Sequence, residues 1–235
     1  MIGARPSMIW HSLSDHSLAM WIETQSENNN QINMEKELKI ILKEELEVLS
    51  KQAYESAKNK GFYPKDVNTA FLLMFIIVEM SEVLQADRKG RHGSIEDYES
   101  EIEMGRDMPT AYKNTLDSTV ESEFADIAIR ILSLLGWIME GDKIELSEDE
   151  DLIGEYKLAS YIFGFDLAGD LYRIIEKMGV LDLDSSPSWY LSKYLQELLM
   201  DIFAIAHNNN IDLKEQIKLK MKYNETRPYL HGYKY

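Results

Sequence analysis

The sequence predicts an all-α protein, a bundle of packed helices, and three observations predict it. Breakers are scarce, with 12 Gly and 5 Pro in 235 residues. A sandwich or barrel needs turn residues about every ten positions. Long stretches rich in Leu, Ile, Lys, Glu and Ala favour helix. No strand-like alternation and no internal repeat stands out.

The elements follow in order. Residues 1–32 lack periodicity and end in the polar run QSENNNQ, which predicts a poorly ordered leader ahead of a single domain over 33–235. The charged pattern from Met34 to about Lys60 predicts an amphipathic helix stopped by Gly61. Residues 67–89 predict a second helix, apolar on nearly every face through Val78 and so expected at the centre. Residues 90–114 read as a polar connection, with one short helix capped by Ser94. A third long helix is expected over 116–139. The run GDKIELSEDED at 141–151 reads as a solvated acidic loop. Further helices are expected near 152–163, 165–178, 188–207 and 211–225. The third of these opens after Ser185, Ser186 and Pro187, a good N-terminal signal. The chain then breaks at Pro228 and ends in a basic, aromatic tail.

Composition excludes several functions. There is no Cys, so disulfides, thiolate metal sites and Cys nucleophiles are ruled out. No run reaches the roughly 18 uncharged apolar residues of a membrane span. The N-terminus has no continuous apolar region, so no secretion signal is expected and the predicted location is the cytoplasm. A formal net charge of −16 opposes binding to a nucleic-acid backbone. It does not oppose binding a small anion through a metal ion.

Two apolar helices break their pattern in the same way. In FIIVEMSEVL, Glu79 and Glu82 lie three apart and share a face. Phe75, Ile76 and Val83 surround Glu79, where an ionised carboxylate is costly unless paired or metal-bound. In VESEFADIAIRIL, Glu123 and Asp126 repeat the arrangement among Val120, Ile127 and Ile129. If the helices pack together, four carboxylates converge and raise one another's proton affinity. Hard divalent cations resolve that repulsion, Mg²⁺ or Mn²⁺, with remaining positions left for water and phosphate. A lone E-x-x-E means little among 41 acidic residues; two such pairs in apolar helices carry more. The five His complete no di-iron or zinc pattern.

At these residues the chain resembles the MazG-like all-α nucleoside triphosphate pyrophosphohydrolases. Their signature of E-x-x-E, then E-x-x-D on a later helix, reads here Glu79-Met-Ser-Glu82 and Glu123-Phe-Ala-Asp126. Further likeness lies in NKGFY, EMSEVLQADRKGR and the ending K-M-x-Y-N-x-x-R-P-x-x-H-G. It covers roughly 34–140 and 200–235. The resemblance implies a MazG-type helical bundle, with extra helices inserted near 141–207. It implies Mg²⁺ on Glu79, Glu82, Glu123 and Asp126, a water-activating role for Glu79 or Glu82, and a reaction of a nucleoside triphosphate with water to give the monophosphate and pyrophosphate. Nucleotide-pool cleansing is the implied role, and a homodimer or higher homo-oligomer the implied assembly.

Basic groups near the motifs become candidate phosphate ligands: Arg88 and Lys89 after the first pair, and Lys220, Asn224 and Arg227 in the last helix and tail. Cutting the chain after Lys218 is then expected to weaken nucleotide binding and spare Mg²⁺ binding. Phe62 and Tyr63 are candidates for stacking on a base or for packing the turn. Two alternatives stand beside this reading: a dUTPase- or dCTPase-like deoxynucleotide hydrolase with the same metal site, and a non-catalytic helical module that binds a partner.

Overall fold

A computed structural model describes residues 40–232 apart from Phe165 and Asp184. The leader expected over 1–32, the start of the first helix and residues 233–235 lie outside the described residues. Among those described, every regular element is helical, as expected.

Helix α1 (Lys43–Asn59) buries Leu46, Leu49, Ala53 and Tyr54, an i, i+3, i+7, i+8 stripe. It ends as the sequence predicts. Gly61 takes φ +89, and the Phe62 amide bonds back to Ala57 O at 3.0 Å. Helix α2 (Thr69–Arg88) is capped by Asn68, whose side chain accepts from the Phe71 amide. Its apolar girth suggested a central position, and the structure corrects this. Leu72, Leu73, Ile76, Met80 and Val83 are buried, while Phe71, Met74 and Val78 face outward, Met74 at 55% exposure. By length and composition α2 could cross a bilayer. Here its buried face, which carries Glu79, packs on α5.

The connection after α2 holds two helices where one was expected. Helix α3 (Ile95–Glu103) starts at Ser94, as foreseen. Helix α4 (Met108–Thr115) was missed, although Asp107 caps it through the Thr110 amide and Pro109 sits in its first turn. Its Tyr112 is fully buried and stacks on Tyr223 at 4.4 Å.

The centre is α5 (Val120–Gly141), which packs against α1, α2, α8 and α9. Thr119 caps it, and Ser118 before it takes φ +61. Gly136 lets the α1 backbone approach: a Cβ there would stand 2.2 Å from Ser50 O. Neither backbone can yield, so Gly136→Ala is expected to destabilise the protein by about 3 kcal/mol in urea unfolding. An unchanged midpoint would contradict this packing.

Helix α6 (Asp149–Ile162) takes in the end of the expected acidic loop. Asp149, Glu150 and Asp151 form its first turn, where negative charge suits the helix dipole. Helices α7 (Leu167–Gly179), α8 (Ser188–Asn208) and α9 (Leu213–Thr226) follow. A short 3₁₀ turn, Tyr229–Gly232, then docks on the end of α1. The Leu230 amide donates to Lys60 O at 2.8 Å, and Lys60 Nζ donates to the carbonyls of Glu225 and Arg227.

The packing exposes a repeat that was not evident in the sequence. α8 packs on α6 and touches α7, much as α5 packs on α1 and α2; α5 and α8 pack together, and α2 touches α7. IEKMGVL at 175–181 aligns with VEMSEVL at 78–84, and LLMDI at 198–202 with EFADI at 123–127. Glu176 and Asp201 stand at the positions of Glu79 and Asp126. Gly179 and Leu198 stand where Glu82 and Glu123 do, so only the first half keeps both acidic pairs. The α3–α4 insertion accounts for the longer spacing in that half.

Candidate metal centre and cavity

Helices α2 and α5 run antiparallel, so two side-chain stripes face each other. Leu72, Phe75, Glu79 and Glu82 form one; Glu123, Asp126, Arg130 and Ser133 form the other, in reverse order. The i+3 and i+4 spacings hold each stripe on one face over about 15 Å. Between them lies a cavity of about 560 Å³. Ala53 and Ala57 of α1, Phe62 and Tyr63 of the following turn, and Lys220, Asn224 and Arg227 from α9 and its end complete the walls. One end of the cavity is acidic and the other is aromatic.

At the acidic end, carboxylate oxygens of Glu79, Glu82 and Glu123 lie within 4.8 Å of one another. Glu79 and Glu123 are buried and Glu82 is exposed. Burial first, and then the charge of Asp126, push Glu79 up to about 7 and Glu123 up to about 8. The fourth expected member, Asp126, is half-buried and engaged elsewhere. It pairs with Lys220 Nζ at 2.7 Å. Lys220 also donates to Ser122 Oγ at 2.8 Å and is only 2% exposed. Burial opposes its charge, but Asp126 and the neighbouring groups outweigh that and hold the ammonium protonated.

Lys220 was expected to touch substrate, and the structure places it inside the acidic cage as a counter-ion. Arg88 and Lys89 do not line the cavity; both are exposed, and Lys89 Nζ bonds Gln85 at 2.6 Å. Helical rotation explains this. At 100° per residue, Arg88 points well away from the Glu82 face, and Lys89 returns to that face two turns farther along. Asn224 and Arg227 do line the cavity. Asn224 is 7% exposed, and its buried Oδ1 accepts no hydrogen bond. A buried acceptor left unpaired costs about 1–3 kcal/mol, so a donor arriving in the cavity has a ready partner.

Arg130 was not singled out from the sequence. Its Nε donates to Glu79 Oε1 at 3.0 Å. Its guanidinium carbon lies 4.9 Å from the Phe62 ring centre and 5.0 Å from that of Phe75. The available signal was a charge inside the apolar run IAIRILSLL. Ser133, one turn further on, shares a 2.8 Å hydrogen bond with the Tyr63 hydroxyl. Tyr63 also sets its ring edge-on to Tyr54 at 4.8 Å. Tyr63 therefore packs the turn, while Phe62 and Phe75 present rings to the cavity.

The donor set suits a hard divalent cation. It offers three carboxylates within mutual reach of one ion, and two of them are held in surroundings that penalise their bare charge. No protein-family profile, curated protein or solved structure matches this chain.

Proposed function

We propose that the chain is a Mg²⁺-dependent nucleoside triphosphate pyrophosphohydrolase of the MazG-like all-α type. The observation that carries the reading is one cavity with a carboxylate cluster at one end and aromatic rings at the other. A nucleotide has the same polarity, with a polyphosphate at one end and a flat base at the other.

Glu79, Glu82 and Glu123 would hold the ion. Bound there, Mg²⁺ (or Mn²⁺) would supply charge neutralisation for phosphate oxygens and a water that ionises near neutral pH. Glu82 is the carboxylate best placed to take the proton of the attacking water, because Glu79 is already bonded to Arg130. Water adds to one side of the α–β anhydride; the monophosphate and pyrophosphate leave. Arg227 and the Asn224 amide bind on the far wall, where they offset charge that the carboxylates would repel. Phe62 and Phe75 suit a base, since stacking accepts any π-face. The exposed Phe71, Met74 and Val78 on α2 offer a face to a second copy of the chain, in keeping with a homodimer.

Incubation of the full chain with Mg²⁺ and a panel of ribo- and deoxynucleoside di- and triphosphates tests this. Chromatography should show pyrophosphate and the nucleoside monophosphate in equal amounts from at least one triphosphate. Orthophosphate release alone, or no turnover of any triphosphate, would sink the reading. Turnover confined to one deoxynucleotide, with its diphosphate also cleaved, would assign the dUTPase- or dCTPase-like form.

A further inference from the structure

We propose that Arg130 exchanges partners during ligand binding: it neutralises Glu79 in the metal-free protein, then releases that carboxylate and turns its guanidinium onto a phosphate of the nucleotide. The inference rests on the reading above for its ligand, a metal-complexed polyphosphate.

Four cationic side chains line the cavity: Lys60, Arg130, Lys220 and Arg227. Two are committed. Lys60 closes the end of α9 through the carbonyls of Glu225 and Arg227. Lys220 is sealed against Asp126 and Ser122. Arg130 differs from both. Its side chain is 25% exposed, and among the described residues only Nε of its five N–H donors has a hydrogen-bond partner. It also stands where the two ends of the cavity meet, with Glu79 on one side and the rings of Phe62 and Phe75 beside it.

That setting permits motion at small cost. A guanidinium is weakly hydrated and stacks on aromatic faces, so it can shift between two rings without losing their cover. Arg130 and a divalent ion compete for Glu79, one of the three carboxylates within reach of a single ion. The released fork matches phosphate oxygens, which arrive at the same end of the cavity. Bare carboxylates thus have an internal counter-ion until metal and substrate arrive, and that counter-ion then serves the substrate.

The test uses the full chain, with Arg130→Gln and Arg130→Lys compared by calorimetry. With Mn²⁺ alone, Arg130→Gln should bind several-fold more tightly, because a positive charge beside the cluster is gone. With inorganic tripolyphosphate in saturating Mg²⁺, the same variant should bind about 10–100-fold more weakly, the usual worth of a charge-assisted contact. Arg130→Lys keeps the charge, so it should bind Mn²⁺ like the wild type. If Arg130 only holds Glu79 in place, Arg130→Gln weakens Mn²⁺ binding, and that result overturns the proposal. Unchanged tripolyphosphate affinity overturns it as well. Should the Gln variant melt too low to titrate, Arg130→Met keeps the stem between the rings and carries the same two measurements. Absence of nucleotide hydrolysis with both affinities shifted as expected would defeat the reaction assigned above and leave the exchange standing.

Discussion

Replacing Glu123 by Gln is expected to reduce pyrophosphate release by about a thousandfold or more and, at the same time, to stabilise the metal-free protein. Both effects have one cause. Glu123 is buried beside Asp126, and those two influences push its proton affinity up to about 8. Glu79 is pushed up to about 7 for the same reasons. Both folded values lie above the ordinary carboxylate value, so folding takes up protons between about pH 4.5 and 8. Stability of the metal-free wild type should therefore fall as pH rises through that window. A Gln at 123 has no charge to bury, and part of that pH dependence should disappear. It is also a poorer ligand for a hard cation, and the transition state loses charge stabilisation of the kind that often dominates catalysis. Thermal melts at pH 6 and pH 8, with and without Mg²⁺, read both sides. The variant should melt higher than wild type at pH 8 without metal and gain little from Mg²⁺. A variant that melts lower and still responds fully to Mg²⁺ would contradict the role given to Glu123.

Much of this was legible in the sequence, and the failures have physical causes. The acidic pairs could be read because a carboxylate at i, i+3 inside an apolar run breaks a local pattern. Caps such as Ser94 and Asp166, and the stop at Gly61, are local in the same sense. The central place given to α2 failed because hydrophobic girth does not say which face is covered; α5 fills the centre instead. Arg88 and Lys89 failed because closeness in sequence is not closeness in space along a helix. Arg130 escaped notice because its partners, Glu79, Phe62 and Phe75, come from other elements. The repeat of α1, α2 and α5 in α6, α7 and α8 was obscured by the α3–α4 insertion and by Gly179 and Leu198, which erase its acidic signature.

Lys220 gives the other large expected effect. Lys220→Met should destabilise the metal-free protein by about 3–5 kcal/mol, the usual cost of removing one partner from a buried ion pair. The ammonium is 2.7 Å from Asp126, and the lysine is nearly sealed from solvent. Without it, Asp126 faces Glu79, Glu82 and Glu123 with no cation of its own. Two consequences separate this account from simple loss of packing, since Met keeps most of the stem. Adding Asp126→Asn should restore much of the lost stability, because the uncompensated charge goes with it. The single variant should also regain more stability from added Mg²⁺ than the wild type does, because Asp126 is then free to join the other carboxylates around an ion. Urea unfolding of the single and double variants, each with and without Mg²⁺, measures both. A double variant no more stable than Lys220→Met alone would show that Lys220 matters for its shape and not its charge. The same geometry revises the expectation for a chain cut after Lys218. Such a cut removes Lys220 along with Asn224 and Arg227, so it should damage the acidic cage itself. Loss of nucleotide binding would then come with a lower metal-free melting temperature, and the tail would count as part of the metal centre as well as a wall of the cavity.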